Sequence, residues 1–136
     1  MINAYHTQIS KLNGTDYGEV LRKAHTIYNR IASKTKRKPY VRSVYFKKEK
    51  VFLDYFWQHL QQTNRRDSLR RIRFYACALD LVMNSHAQPL IEQNRNKPSE
   101  MLYRFAGVTK EKDVFFVQIK ENIHKKNKYF ISVFPK

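Results

Sequence analysis

The chain has 136 residues, enough for one ordinary hydrophobic core and too few for two, so a single basic α+β domain spanning residues 1–136 is expected. Apolar residues at 42% and aromatics at 14% favour a folded chain, while 27 Lys and Arg against 11 Asp and Glu give a net charge of +16, which repels itself without a polyanionic partner. Cys77 is the only cysteine, which excludes an intramolecular disulfide; no apolar run reaches the length of a signal peptide or a membrane span, and the cytoplasm is the expected setting.

Residues 1–15 are polar and mixed and are expected as a flexible lead. Asp16 followed by Glu19 matches a capping box, and Val20, Leu21, Ala24, Ile27, Tyr28 and Ile31 recur at helical spacing, so a first helix is predicted over 17–34. Pro39 ends it, and the β-branched, aromatic stretch Tyr40 to Phe46 reads as extended structure or a connector. From Lys47, the positions of Val51, Phe52, Tyr55, Phe56, His59 and Leu60 form a second helical face closing near Thr63 and Asn64. With Asn64 or Asp67 as its cap, a third helix carries Leu69, Ile72, Ala76, Leu79 and Met83 as one stripe to about Asn84, with Cys77 inside it as a buried, inert thiol.

Beyond Pro89 and Pro98 the hydrophobic period changes from helical to two. Leu102 to Val108, Val114 to Asn122 and Tyr129 to Phe134 are strand candidates joined by short polar turns at 109–113 and 123–128. The expected fold is therefore α+β, about three N-terminal helices packed on a C-terminal antiparallel meander of three or four strands.

If Val108 pairs with Val114, the constant index sum of antiparallel partners puts Arg104 opposite Gln118 and Leu102 opposite Lys120. If Gln118 also pairs with Ser132, one face carries Arg104, Gln118 and Ser132 with Phe116, Phe130 and Phe134 beside them, and the other carries Phe105, Val117, Ile119, Ile131 and Val133. A slip of one residue in either hairpin would send these side chains to opposite faces.

Two clusters carry much of the charge. Between Lys34 and Lys50 lie Lys36, Arg37, Lys38, Arg42, Lys47 and Lys48, interleaved with Tyr40, Tyr45 and Phe46. Cations neutralise phosphate and aromatic rings stack on unpaired bases, so this mixture suits single-stranded or looped RNA; its competing reading is a solvated linker whose aromatics are tucked into the core. Arg65, Arg66, Arg70 and Arg71 open the third helix, with Arg66 and Arg70 on one side of it, as a second phosphate-binding group; Arg73 is read as another phosphate ligand or as the partner of an internal acid such as Asp80.

The stretch Arg71-Ile-Arg-Phe-Tyr-Ala-Cys-Ala-Leu-Asp-Leu, the run Lys97-Pro-Ser-Glu-Met-Leu-Tyr-Arg-Phe-Ala-Gly, and the ending Val114-Phe-Phe-Val-Gln-Ile-Lys-Glu with Lys128-Tyr-Phe-Ile-Ser-Val-Phe-Pro resemble the phage-type branch of the barnase, EndoU, colicin and RelE-like nuclease superfamily. The resemblance covers about residues 65–136. It implies helices followed by an antiparallel meander, and a metal-independent endoribonuclease of the toxin or effector kind, carried by phages or mobile elements and neutralised by an acidic antitoxin or immunity protein. No metal and no cofactor is expected.

Metal-free RNA cleavage needs a group to take the proton of a ribose 2′-hydroxyl, groups to stabilise the crowded phosphate, and a group to protonate the leaving oxygen. Arg104 and Lys120 are the phosphate candidates, and Ser132 and Gln118 the sugar-orienting ones. No histidine falls within the strand candidates; His124, in the basic turn, is read either as a proton mover or as an exposed, functionally neutral histidine, whereas His59 is read on an apolar helix face and His86 after a helix end, and without a histidine catalysis would rely on Arg, Lys, Tyr and Ser or be absent. The alternatives are a non-catalytic RNA- or DNA-binding module of a mobile element, and an interaction protein whose charge meets an acidic partner.

Overall fold

The computed structural model describes residues 3–136. Among these the chain forms strand β1 (Ala4–His6), helix α1 (Tyr17–Ala32), strands β2 (Tyr40–Ser43) and β3 (Glu49–Phe52), helices α2 (Asp54–Leu60), α3 (Arg65–Ile72) and α4 (Tyr75–Asn84), and strands β4 (Leu90–Gln93), β5 (Glu100–Val108), β6 (Val114–Asn122) and β7 (Lys128–Pro135). The fold is α+β, but strands precede and interrupt the helices, and the sheet is mixed rather than an antiparallel meander. Its order is β1-β5-β6-β7-β3-β2, with β4 also paired to β5; β1 runs parallel to β5, and β3 runs parallel to β7.

Local chemistry accounts for the elements read correctly. The Asp16 carboxylate accepts the Glu19 amide at 2.8 Å, and Glu19 Oε1 reaches back to Thr15 N at 3.5 Å, so α1 begins where its capping residues place it. Asn64 caps α3, accepting from Asp67 N at 2.9 Å.

The elements read wrongly were decided by distant contacts. Val51 and Phe52 belong to a strand, because Lys47 and Lys48 take positive φ of 56° and 66° and fold Glu49–Phe52 back on Tyr40–Ser43. This hairpin turn has no Gly or Asn to announce it. The single long third helix is two helices. At its break, Arg73 O accepts Leu12 N at 2.8 Å, and the Arg73 guanidinium holds the carbonyls of Gly14 at 2.9 Å and Leu12 at 3.4 Å. Arg73 therefore fastens the N-terminal segment; Asp80 takes the Tyr5 hydroxyl and the Gln8 amide instead.

The core lies between the helices and one face of the sheet. Phe105, Phe115, Val117, Ile119, Phe130 and Val133 point into it from β5 to β7, and Phe56 stacks on Phe130 with centroids 4.9 Å apart. Helix α4 is buried nearly all round; burial pushes the Cys77 thiol up to about 11, which leaves it protonated and inert at neutral pH. Both hairpins adopt the predicted register: Val108 faces Val114, Arg104 faces Gln118, Leu102 faces Lys120, and Gln118 faces Ser132.

One bulge changes the face assignment. The β6–β7 ladder jumps from Gln118–Ser132 to Ile119–Phe130, leaving Ile131 as the extra residue. Phe130 is consequently fully buried in the core and unavailable for base stacking, and Ile131 lines a surface cleft instead of the core.

Candidate nucleic-acid cleft

The face of the sheet opposite the core is organised as cross-strand rows. Arg104 of β5, Gln118 of β6 and Ser132 of β7 are direct neighbours in register. One row further along, Leu102, Lys120, Tyr129, Phe52 and Tyr40 follow each other across β5, β6, β7, β3 and β2. Directly paired residues project from the same face, so the two rows form one continuous surface.

Helix α2 supplies a wall. Phe56 and Leu60 are on its buried side, while Tyr55, Gln58 and His59, at helical spacing, turn toward the row with Gln62 in the turn just past its end. They enclose a cleft of about 400 Å³ together with Asn94, Glu100, Leu102, Gln118, Lys120 and Ile131. Contacts between α2 and β7 explain the position: the ring of Phe56 lies on Phe130 in the core, and that of Tyr55 lies 4.7 Å from Tyr129 on the other face.

Charge converges on this cleft. Lys120 Nζ sits 4.9 Å over the Tyr55 ring and 3.3 Å from Glu100 Oε2. Burial alone would raise the Glu100 carboxyl; hydrogen bonds from Lys120 and Asn94 and the charges of Lys120 and Lys97 outweigh it and hold the group below its ordinary range. Glu100 is thus an ionised, buried anchor that orients Lys120. Arg71 reaches across from α3 and donates to Ser132 Oγ at 2.8 Å, and the Arg71 and Arg104 guanidinium groups both lie over the Phe134 ring, at 5.8 and 5.5 Å.

His59 is solvent-exposed on the wall of the cleft, not buried on an apolar face. Partial desolvation, then the positive charges of Arg71 and Lys120, hold its imidazole below the ordinary value of 6.5. It is therefore neutral, and able to accept a proton, at pH 7. His59, Tyr55 and Glu100 are the residues that sequence reasoning missed. The signal present is the helical spacing of Tyr55 and His59, which the pattern running from Val51 through Leu60 merges with the core face because α2 begins only at Asp54.

Among the candidates named from sequence, Arg104, Gln118, Lys120 and Ser132 come together, and Arg71 joins them. His124 does not: it is exposed in the β6–β7 turn, past the end of β6 at Asn122, with its backbone amide bonded to Asn122 Oδ1, and it does not line the cleft. Arg65 lies over the Tyr17 ring, Arg66 is exposed, and Arg70 pairs with Asp67 at 3.7 Å beside a groove lined by Lys11, Arg73, Lys112 and Lys136. These three do not line the cleft.

The first basic cluster divides. Lys36, Arg37 and Lys38 line a groove of about 720 Å³ with Lys34, Lys50, Tyr40 and Phe52. Arg42 lies over the Tyr40 ring and donates to Lys48 O, while Lys47 and Lys48 form the exposed hairpin turn. Phe46 is buried, packed edge-on to Tyr103 and Tyr45, so these aromatics support the core rather than receive bases.

Among the described residues no three His, Cys, Asp or Glu side chains gather as a metal site, and no helix is long and apolar enough to cross a membrane. Comparison of the chain with family models, with curated proteins and with solved structures returns no match.

Proposed function

We propose that this protein is a metal-independent endoribonuclease that binds RNA across the outer sheet face and cleaves it in the α2 cleft by attack of a 2′-hydroxyl on the adjoining phosphate. The observation that carries this reading is the meeting of a neutral histidine, His59, with Lys120, Glu100 and Gln118 in one cleft, and with the Arg71–Ser132 pair nearby.

In this mechanism His59 accepts the 2′-hydroxyl proton, and the 2′ oxygen forms a new bond to phosphorus. Arg71, Arg104 and Lys120 stabilise the added negative charge, and the bond from phosphorus to the 5′ oxygen breaks. The Lys120 ammonium, held by Glu100, is the group in the cleft available to protonate that oxygen. The products are a 2′,3′-cyclic phosphate and a 5′-hydroxyl, so no water and no external cofactor enters the balance. By resemblance, an acidic protein partner would neutralise the enzyme by covering the same cationic face.

One observation favours a second reading. No side chain among the described residues orients the His59 ring by a hydrogen bond, as suits a non-catalytic RNA- or DNA-binding module. Incubating the purified protein with total RNA and with transfer RNA in EDTA, beside Arg104→Ala, Ser132→Ala and His59→Ala variants of verified fold, separates the two. Discrete fragments with cyclic phosphate ends, lost in the variants, support the nuclease; salt-sensitive binding without cleavage supports the module.

A further inference from the structure

The row Tyr40, Phe52, Tyr129 is not needed for the bond-breaking chemistry, yet it connects the two cationic sites. Its ring centroids are spaced 6.2 Å from Tyr40 to Phe52 and 5.9 Å from Phe52 to Tyr129, with Tyr55 4.7 Å beyond. All four residues are half-buried. At one end Tyr40 and Phe52 line the groove that also holds Lys34, Lys36, Arg37, Lys38 and Lys50, and at the other Tyr55 lines the cleft with His59 and Lys120.

Cations lie over the rings of Tyr40, Tyr55 and Tyr129. Lys50 Nζ is 4.7 Å and the Arg42 guanidinium 5.5 Å from the Tyr40 centroid, and Lys120 Nζ is 6.0 Å from that of Tyr129. A purely structural aromatic ladder would need no such flank, because like charges gathered at an edge cost energy through their repulsion. Phosphates beside the rings would offset that cost, while the faces of unpaired bases meet the rings. A duplex keeps its bases stacked inward and offers the rings only its backbone.

We propose that Tyr40, Phe52 and Tyr129 form a stacking track for unpaired bases on one flank of the cleft, which makes single-stranded RNA, or the loop of a folded RNA, the substrate class. This deepens the nuclease reading and rests on it for the direction of the path, from the Lys34–Lys50 groove to His59. Duplex RNA is excluded because its bases cannot reach the rings.

The test uses the full chain and a fluorescent 12-nucleotide 2′-O-methyl RNA of mixed sequence, which 2′-hydroxyl attack cannot cleave, alone and annealed to its complement. The single strand is expected to bind roughly tenfold more tightly than the duplex, and Tyr40→Leu with Phe52→Leu to lose that preference, while Tyr40→Phe keeps it. Should the leucine variants fold poorly, photocrosslinking of the unmodified protein to a 4-thiouridine strand is expected to label Tyr40, Phe52 or Tyr129. Equal affinity for duplex and single strand, or crosslinks that avoid the row, would overturn the track while leaving cleavage of transfer RNA by the same preparation to stand. Neither binding nor cleavage would overturn both proposals.

Discussion

Arg71 and Ser132 meet at 2.8 Å, the guanidinium of a helix residue donating to a strand hydroxyl that lies 61 positions away. The sequence alone places Arg71 in an arginine cluster at the start of a helix and Ser132 in a polar strand row. Their contact makes them one unit, with Arg71 positioned over the sheet and Ser132 nearly buried beneath it.

Arg71→Ala is therefore expected to lower single-turnover cleavage of transfer RNA by roughly a hundredfold, the usual effect of losing one charge-stabilising donor. Arg71→Lys should restore only part of it, since an ammonium cannot reproduce the fork that binds phosphate and hydroxyl together. Unchanged cleavage in a folded Arg71→Ala protein would remove this residue from the site.

The pH dependence of cleavage reports on His59. Its imidazole is held low by desolvation and by Arg71 and Lys120, so the acid limb of kcat/KM is expected to have its midpoint below 6.5. In Arg71→Gln one of the cations is gone, and the midpoint should move up. For stability the sign is separate: a histidine with a depressed folded value binds its proton better when unfolded, so protonating His59 weakens the fold as pH falls through 6.5 and below. A midpoint that does not respond to Arg71→Gln would disconnect His59 from the reaction.

Glu100 links the site to acid stability. Its carboxyl is held below the ordinary value of 4.5, so its contribution is present above that pH and is lost as pH falls toward the folded value. Glu100→Gln should lower the melting temperature at pH 7 but flatten its decline below about 4.5, and should reduce cleavage by releasing Lys120. Thermal melts of both proteins from pH 3 to 7 would show whether the curves converge.

Lys128 tests the hidden side of the sheet. Its side chain is 5% exposed, bonded to Glu49 at 2.6 Å and Glu121 at 3.0 Å, with Nζ 5.1 Å from the Phe46 centroid. Removing the cation leaves Glu121, which is 16% exposed, with the Tyr103 hydroxyl as its remaining partner among the described residues and its charge unpaired, so Lys128→Ala is expected to cost about 3 kcal/mol in urea unfolding. A loss under 1 kcal/mol would mean that water relieves Glu121.

Gly107 tests core density. A Cβ there would lie 2.6 Å from Phe115 Cε1 and 2.9 Å from Leu81 Cδ1, in a packed interior. Gly107→Ala is expected to destabilise by about 1–3 kcal/mol, read as a lower urea midpoint with an unchanged slope.

Local chemistry in the chain was sufficient for the Asp16 and Asn64 caps, the extent of α1 within two residues, the registers of both C-terminal hairpins, and the meeting of Arg104, Gln118 and Ser132. Each depends on neighbours in sequence or on the index sum of a short hairpin. The tertiary structure decided the rest, because the partners are remote. β3 exists because Phe52 pairs with Tyr129, α3 ends where the Arg73 guanidinium donates to the carbonyls of Leu12 and Gly14, and Phe130 enters the core because Ile131 bulges. His59 became a candidate only when the shortened α2 turned it toward Lys120, since a helical period assigns residues to a face and leaves open what that face meets.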